Sequence, residues 1–208
     1  MKKFVYTLFA IILFAGSQTF GQKQKIYKSI DEGNKNPENV YKLRLIKMKF
    51  DKFPEEVYIF KNLEDLNVAI NNIETIPISI EQMTGLRILD IGANKLSVLP
   101  EEIGKLENLE IIRLWRNNFS ELPPAILNLK KLKQLNMKDN NLESLPKEIG
   151  DMVSLTSIDL AGNPIKSIPD EIEKLTNLKS LNLRECKLSK REKNKLKDLL
   201  PKTEVIFE

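Results

Sequence analysis

The chain has 208 residues, with 33 lysines and arginines against 29 aspartates and glutamates and no histidine. That near balance argues against a nucleic-acid binder, and the missing imidazole removes the usual general base and metal ligand. A single cysteine, Cys186, allows no internal disulfide, so stability must come from packing.

At the N-terminus, Met1-Lys2-Lys3 precedes an apolar run from Phe4 to Ala15 that only Thr7 interrupts. A bilayer span needs roughly 20 apolar residues, and this run is too short. It fits the apolar segment of a secretory leader, with the small or polar residues Gly16, Ser17, Gln18 and Thr19 after it. Residues 1–21 are therefore expected to be a signal peptide, cleaved near Gly21 so that Gln22 becomes the new terminus. Ser17 is the alternative site, and an uncleaved interfacial anchor is the alternative fate. Cleavage removes Lys2, Lys3 and no acid, taking the formal net charge from +4 to +2. No cysteine lies nearby to carry a lipid.

Residues 22–39 are expected to cap the array that follows, the alternative being a disordered leader. Ser29-Ile30-Asp31-Glu32 has the form of a capping box, which predicts a short helix ended by Gly33, Asn34 and Pro37.

From Val40 a 23-residue pattern recurs without insertion or deletion, starting at Val40, Leu63, Leu86, Leu109, Leu132, Leu155 and Leu178 and filling residues 40–188. The copy from Leu86 to Asn108 reads LRILDIGANKLSVLPEEIGKLEN. Aliphatic residues hold places 1, 4, 6, 11, 14, 18 and 21, asparagine place 9 and proline place 15. A fixed period of this length is the mark of a stacked repeat architecture. Leu89 and Ile91 flank Asp90, the two-residue alternation of a strand with one buried face. One such strand cannot bury that face alone, whereas stacked coils can.

Asn71, Asn94, Asn117, Asn140 and Asn163 share place 9. An amide both donates and accepts, so a stacked row can serve as a structural ladder for turn groups otherwise left unpaired. Met48 replaces it in the first repeat and Cys186 in the last, where a buried thiol is expected. Asn72, Asn118 and Asn141 come next in the chain and are expected to take left-handed turn conformations. Pro54, Pro77, Pro100, Pro123, Pro146 and Pro169 share place 15, where no strand bond is needed. The acids after several of them predict the first turn of a brief convex helix, of 3-10 rather than α form.

The pattern LxxLxLxxNxLxxLPxxIxxLxx resembles the 23-residue leucine-rich repeat, and the chain is similar to short secreted bacterial proteins of that family. The resemblance implies an α/β fold: a right-handed solenoid with a concave parallel β-sheet, short convex 3-10 or helical turns and a C-terminal helix cap. It implies a protein or peptide ligand most often, with glycans or lipids as less common ones.

Residues 189–208 read as that C-terminal cap. Ser189-Lys190-Arg191-Glu192 forms a second capping box, and a helix is predicted from about Lys190 to Leu200 with Leu196, Leu199 and Leu200 on one face. Pro201 ends it, and Thr203 to Glu208 reads as a last strand.

No nucleophile elbow, phosphate loop, dinucleotide fingerprint or CxxC pair occurs, so no enzyme, cofactor or metal site is expected. The informative residues are those at places 3, 5, 7 and 8, predicted to project from the concave sheet. Trp115 is the one tryptophan and lies mid-array between Arg113 and Arg116. Ile111 shares its strand, while Ile88, Asp90 and Ile70 come from preceding repeats and Asn136 and Lys138 from the next. Aromatic and arginine clusters of this kind are typical binding hot spots. The bland alternative is that Trp115 and the isoleucines cover one another under arginine stems.

The reading is an exported, non-catalytic protein-binding module, periplasmic, cell-surface or secreted. It is expected to be monomeric, with no nucleic-acid partner and no membrane anchor once the leader is removed. The competing readings are a cytoplasmic scaffold, since the chain also resembles Ras-associated leucine-rich repeat proteins, and a glycan or surface adhesion protein. Self-association along a sheet edge stays open.

Overall fold

The computed structural model describes residues 23–208, and the predicted leader at residues 1–21 lies outside them. Nine parallel strands form one sheet in strict chain order: β1 (Ile26–Tyr27), β2 (Lys42–Arg44), β3 (Asp65–Asn67), β4 (Ile88–Asp90), β5 (Ile111–Arg113), β6 (Gln134–Asn136), β7 (Ser157–Asp159), β8 (Ser180–Asn182) and β9 (Glu204–Ile206). Parallel neighbours need a crossover between them, and here each coil of the repeat supplies it. The register from β2 to β8 advances by one repeat per strand. Leu43, Leu66, Leu89, Ile112, Leu135, Ile158 and Leu181 therefore form one continuous row. All seven are buried, and their strand neighbours point to the open concave face.

The convex side is built by proline. Pro54, Pro77, Pro100, Pro146 and Pro169 are the N-caps of 3-10 helices Glu55–Ile59, Ile78–Gln82, Glu101–Lys105, Lys147–Asp151 and Asp170–Lys174, and Pro123 caps Pro124–Asn128. The ring presets the backbone angle, and the missing N–H costs nothing at this position. Each proline carbonyl accepts the N–H three residues on, as Ile103 N–H donates to Pro100 O at 3.1 Å. The isoleucine or valine that donates this bond is wholly buried. It closes the core against the sheet.

The asparagine amides occupy the turn between strand and convex side. The Asn117 amide nitrogen donates to Ile91 O and Leu114 O, both at 3.1 Å, and its oxygen accepts from Leu96 N–H at 2.9 Å. Asn71, Asn94, Asn140 and Asn163 repeat the pattern, each joining its own coil to the one before. The row ends at Cys186, half-buried, whose thiol donates to Leu160 O at 3.5 Å. Burial pushes this thiol above its ordinary pKa and disfavours the thiolate.

Three local expectations are corrected. The left-handed residues are Lys47, Ile70, Ala93, Arg116, Asp139, Gly162 and Glu185 at place 8, with Lys49 besides, and not Asn72, Asn118 or Asn141. The chain must turn sharply as it leaves the strand, and coil closure imposes this angle on residues with little preference for it. Both capping boxes are also incomplete. Ser29 and Ser189 accept from Glu32 N–H and Glu192 N–H at 3.1 Å each. The return bonds go elsewhere: Glu32 takes Lys28 N–H, and Glu192 reaches across to Ile168 N–H, both at 3.0 Å.

The ends are closed by α1 (Ile30–Asn34) with β1, and by α2 (Lys190–Leu199) with β9. Gly33 lets α1 sit directly on the first coil: a Cβ there would lie 2.7 Å from the Phe60 ring. Leu196 and Leu200 of the second cap are buried over the last coil.

Candidate functional site

Concave side chains come from places 3, 5 and 7 of each coil, and most at place 5 are already engaged. Asn67, Asp90, Asn136, Asp159 and Asn182 each accept the main-chain N–H two residues on, at 2.9, 3.1, 3.0, 3.1 and 3.2 Å. These Asx turns fix the exit of the strand. One oxygen of Asp90 and that of Asn136, two of the predicted contact residues, are therefore turned into the protein's own backbone.

Arginine replaces Asn or Asp at place 5 in two coils, and the two arginines behave differently. Arg44 makes a bidentate pair with Asp65 on the next strand, at 2.8 and 2.5 Å. The Arg113 side chain makes no hydrogen bond or ion pair with any described residue. Its register partners are Asp90 on one side and Asn136 on the other. The place diagonal to it that corresponds to Asp65 is held by Gln134, exposed and uncharged. Nor can Arg113 accept the Trp115 main-chain N–H, which meets no acceptor among the described residues.

Trp115 is half-buried. Its indole packs against Gly92, where a Cβ would fall 2.1 Å from Nε1. The Arg116 guanidinium stands 5.9 Å from the ring centroid and pairs with Asp139 at 3.1 Å. Beneath sits Asp90, buried, which also accepts from Asn67 at 3.2 Å. Desolvation pushes its carboxyl above the usual range, and the Gly92 N–H, Arg113 and the Trp115 indole pull the other way. Lys138 is exposed and makes no ion pair among the described residues.

The predicted contact residues fall into two groups. Ile88 and Ile111 pair across β4 and β5 at the strand starts. With Asp65, Arg87 and Glu110 they line an open hollow of about 370 Å³. Trp115, Arg116, Asn136, Lys138 and Asp139 line a second, of about 350 Å³, at the strand ends. Asp90 and Arg113 form the charged band between them. Ile70 stands apart: it is exposed at a left-handed turn (φ 59°), in the row of Ala93 and Arg116 rather than on a strand.

One feature of this surface was missed by considering places 3, 5, 7 and 8 alone. At place 2, Glu64, Arg87, Glu110 and Lys133 alternate in charge along the strand starts, and Lys23, ahead of the first repeat, extends the row beside Glu64. Successive contacts measure 2.9, 3.9, 2.6 and 2.7 Å. Hydrogen bonds from Lys133 and Arg87 hold the Glu110 carboxyl below its ordinary pKa. The alternation of Glu64, Arg87, Glu110 and Lys133 at the repeat period was the available signal. Among the described residues no group of three or more carboxylate, thiol or imidazole ligands is assembled for a metal. No described helix is long and apolar enough to cross a membrane.

A one-sheet solenoid of identical coils, closed at both ends and open on its concave face, is the architecture of a repeat-built recognition surface. The family model described as a leucine-rich repeat region matches residues 81–206, more than half of the chain. The chain belongs to the leucine-rich repeat family. A leucine-rich repeat protein of Leptospira interrogans is 26% identical over 88% of this chain and 58% of its own, with a TM-score of 0.65. An internalin of Listeria monocytogenes is 23% identical over 82% and 48%, with a TM-score of 0.67, a likeness of fold alone. The plant peptide hormone receptor RGFR1, solved in complex with RGF2, is 29% identical over 71% and 28%, with a TM-score of 0.57. The chain thus spans about half the length, or less, of these solved relatives. No curated protein matches the sequence.

Proposed function

We propose that the protein is an exported, non-catalytic binding module that holds a protein or peptide partner on its concave sheet across β4, β5 and β6. The observation that carries this reading is the contrast within place 5. Most coils spend that side chain on their own turn, whereas the fourth coil leaves the Arg113 side chain and the Trp115 N–H without partners among the described residues, in the middle of the sheet. Ile88 and Ile111 on one side and the Trp115 ring on the other supply apolar area for a hot spot. The solenoid holds these groups in place before binding, which lowers the ordering cost of association. The similarity to a plant peptide hormone receptor supports a peptide ligand. Export rests on Lys2-Lys3 and the apolar run from Phe4 to Ala15.

The test is capture of partners from envelope or host extract, followed by affinity measurement with Trp115→Ala and Arg113→Ala. A loss of affinity of tenfold or more, about 1.4 kcal/mol, with the thermal midpoint unchanged supports the site. An affinity within twofold of the parent for an intact variant removes it.

A further inference from the structure

We propose that the partner supplies a carboxylate to Arg113, and that this carboxylate takes the place Asp65 takes against Arg44. The inference rests on the concave binding reading above and names the chemistry of one contact within it.

The protein contains its own template for the contact. Arg44 and Arg113 occupy the same place of the repeat, on strands related by the same register. Arg44 reaches diagonally to Asp65 and closes two parallel hydrogen bonds, the geometry in which a guanidinium best recognises a carboxylate. In the fourth coil the diagonal residue is Gln134, which carries no charge. Arg113 is half-buried and so has already lost part of its hydration without gaining an ion pair among the described residues. Asp90 beside it does not complete the pair: it lies beyond ion-pair distance, and its oxygens are engaged by Gly92 N–H and the Asn67 amide.

A second donor points the same way. In five coils an Asn or Asp oxygen caps the N–H at place 7; in the first and fourth, where place 5 is arginine, that N–H belongs to Ile46 and Trp115 and meets no acceptor among the described residues. A carboxylate from a partner can bridge the guanidinium and this N–H, doing for both what Asp65 and an Asx oxygen do in other coils. Lys138, exposed and without an ion pair among the described residues, adds a third positive or donor group on the same rim. Arg116 does not contribute, because Asp139 already neutralises it.

The experiment is an NMR titration of the chain that follows the Trp115 main-chain amide and the Arg113 Nε–H. The probes are Ac-Ala-Asp-Ala-NH2, its Asn analogue, and Ac-Ala-Ala with a free C-terminal carboxylate, each taken to tens of millimolar. Saturable shifts of both resonances with either carboxylate probe, and weaker or absent shifts with the Asn analogue, are expected. The two carboxylate probes separate a side chain from a chain terminus as the source. Gln134→Asp installs an internal carboxylate on the Asp65 diagonal and should weaken carboxylate binding about tenfold or more, while Gln134→Asn leaves it unchanged. Equal response to the Asp and Asn probes, no saturable response at either resonance, or equal binding by Gln134→Asp overturns the proposal. Captured partners that still lose affinity with Trp115→Ala but not with Gln134→Asp would leave the concave site standing and remove only the carboxylate.

Discussion

Two residues decide how the centre of the concave sheet behaves. Asp90 is buried with its carboxyl pushed upward, so its ionised form is the one the fold disfavours. A folded-state value above the unfolded one means stability that is full below the unfolded value and lost as pH rises through the folded value. Asp90→Asn keeps an acceptor for Gly92 N–H and removes the charge, while giving up the oxygen that accepts from the Asn67 amide. Its stability relative to the parent should therefore be most favourable at neutral pH and should decline as pH falls through the carboxylate range. Urea titrations at several pH values check this, and a relative stability that rises on acidification contradicts it. Gly92 is the second residue. It is needed for space, since any Cβ there meets the Trp115 indole. Gly92→Ala should lift the ring, shift tryptophan fluorescence toward the solvent-exposed range and cost about 1–3 kcal/mol.

At the scale of the element, the turn after each strand is held by the place-9 amide rather than by the preferences of its own residues. Asn117→Ala would leave Leu96 N–H without its acceptor in a buried site, while Ile91 O and Leu114 O each lose one bond and keep the one from Asn94 and Asn140. One stranded group costs about 1–3 kcal/mol and each lost bond about 0.5–1.5 kcal/mol, so a loss of roughly 2–6 kcal/mol in chemical denaturation is expected. Asn118→Ala, one residue on and exposed, should cost under about 0.5 kcal/mol. Similar losses at the two positions would contradict the ladder. This element also shows where sequence reading stops. The asparagine row was legible because an amide at a fixed period has few other uses. The left-handed turn was not, because Lys47, Ile70 and Arg116 carry no local signal for it. Their backbone angles come from closing a coil over a neighbour. The strand Ile26–Tyr27 was missed for a related reason: two residues hold too little alternation to register.

At the scale of the molecule, the uninterrupted period from Val40 to Leu188 made the fold legible, since equal coils must stack in register. The candidate surface was legible only as a set of exposed places. Its internal bonding was not, because whether an arginine is paired depends on the residue one strand away and two places back. Arg44 and Arg113 look alike along the chain and differ only across the sheet, through Asp65 and Gln134. The same contrast makes the fourth coil the focus of the proposed recognition surface. The most direct test is hydrogen exchange of the chain with and without its captured partner. Protection should gather on β4, β5 and β6 and on the segment through Trp115, with the convex 3-10 helices unchanged. Protection confined to those helices or to the exposed edge of β9 would contradict the account.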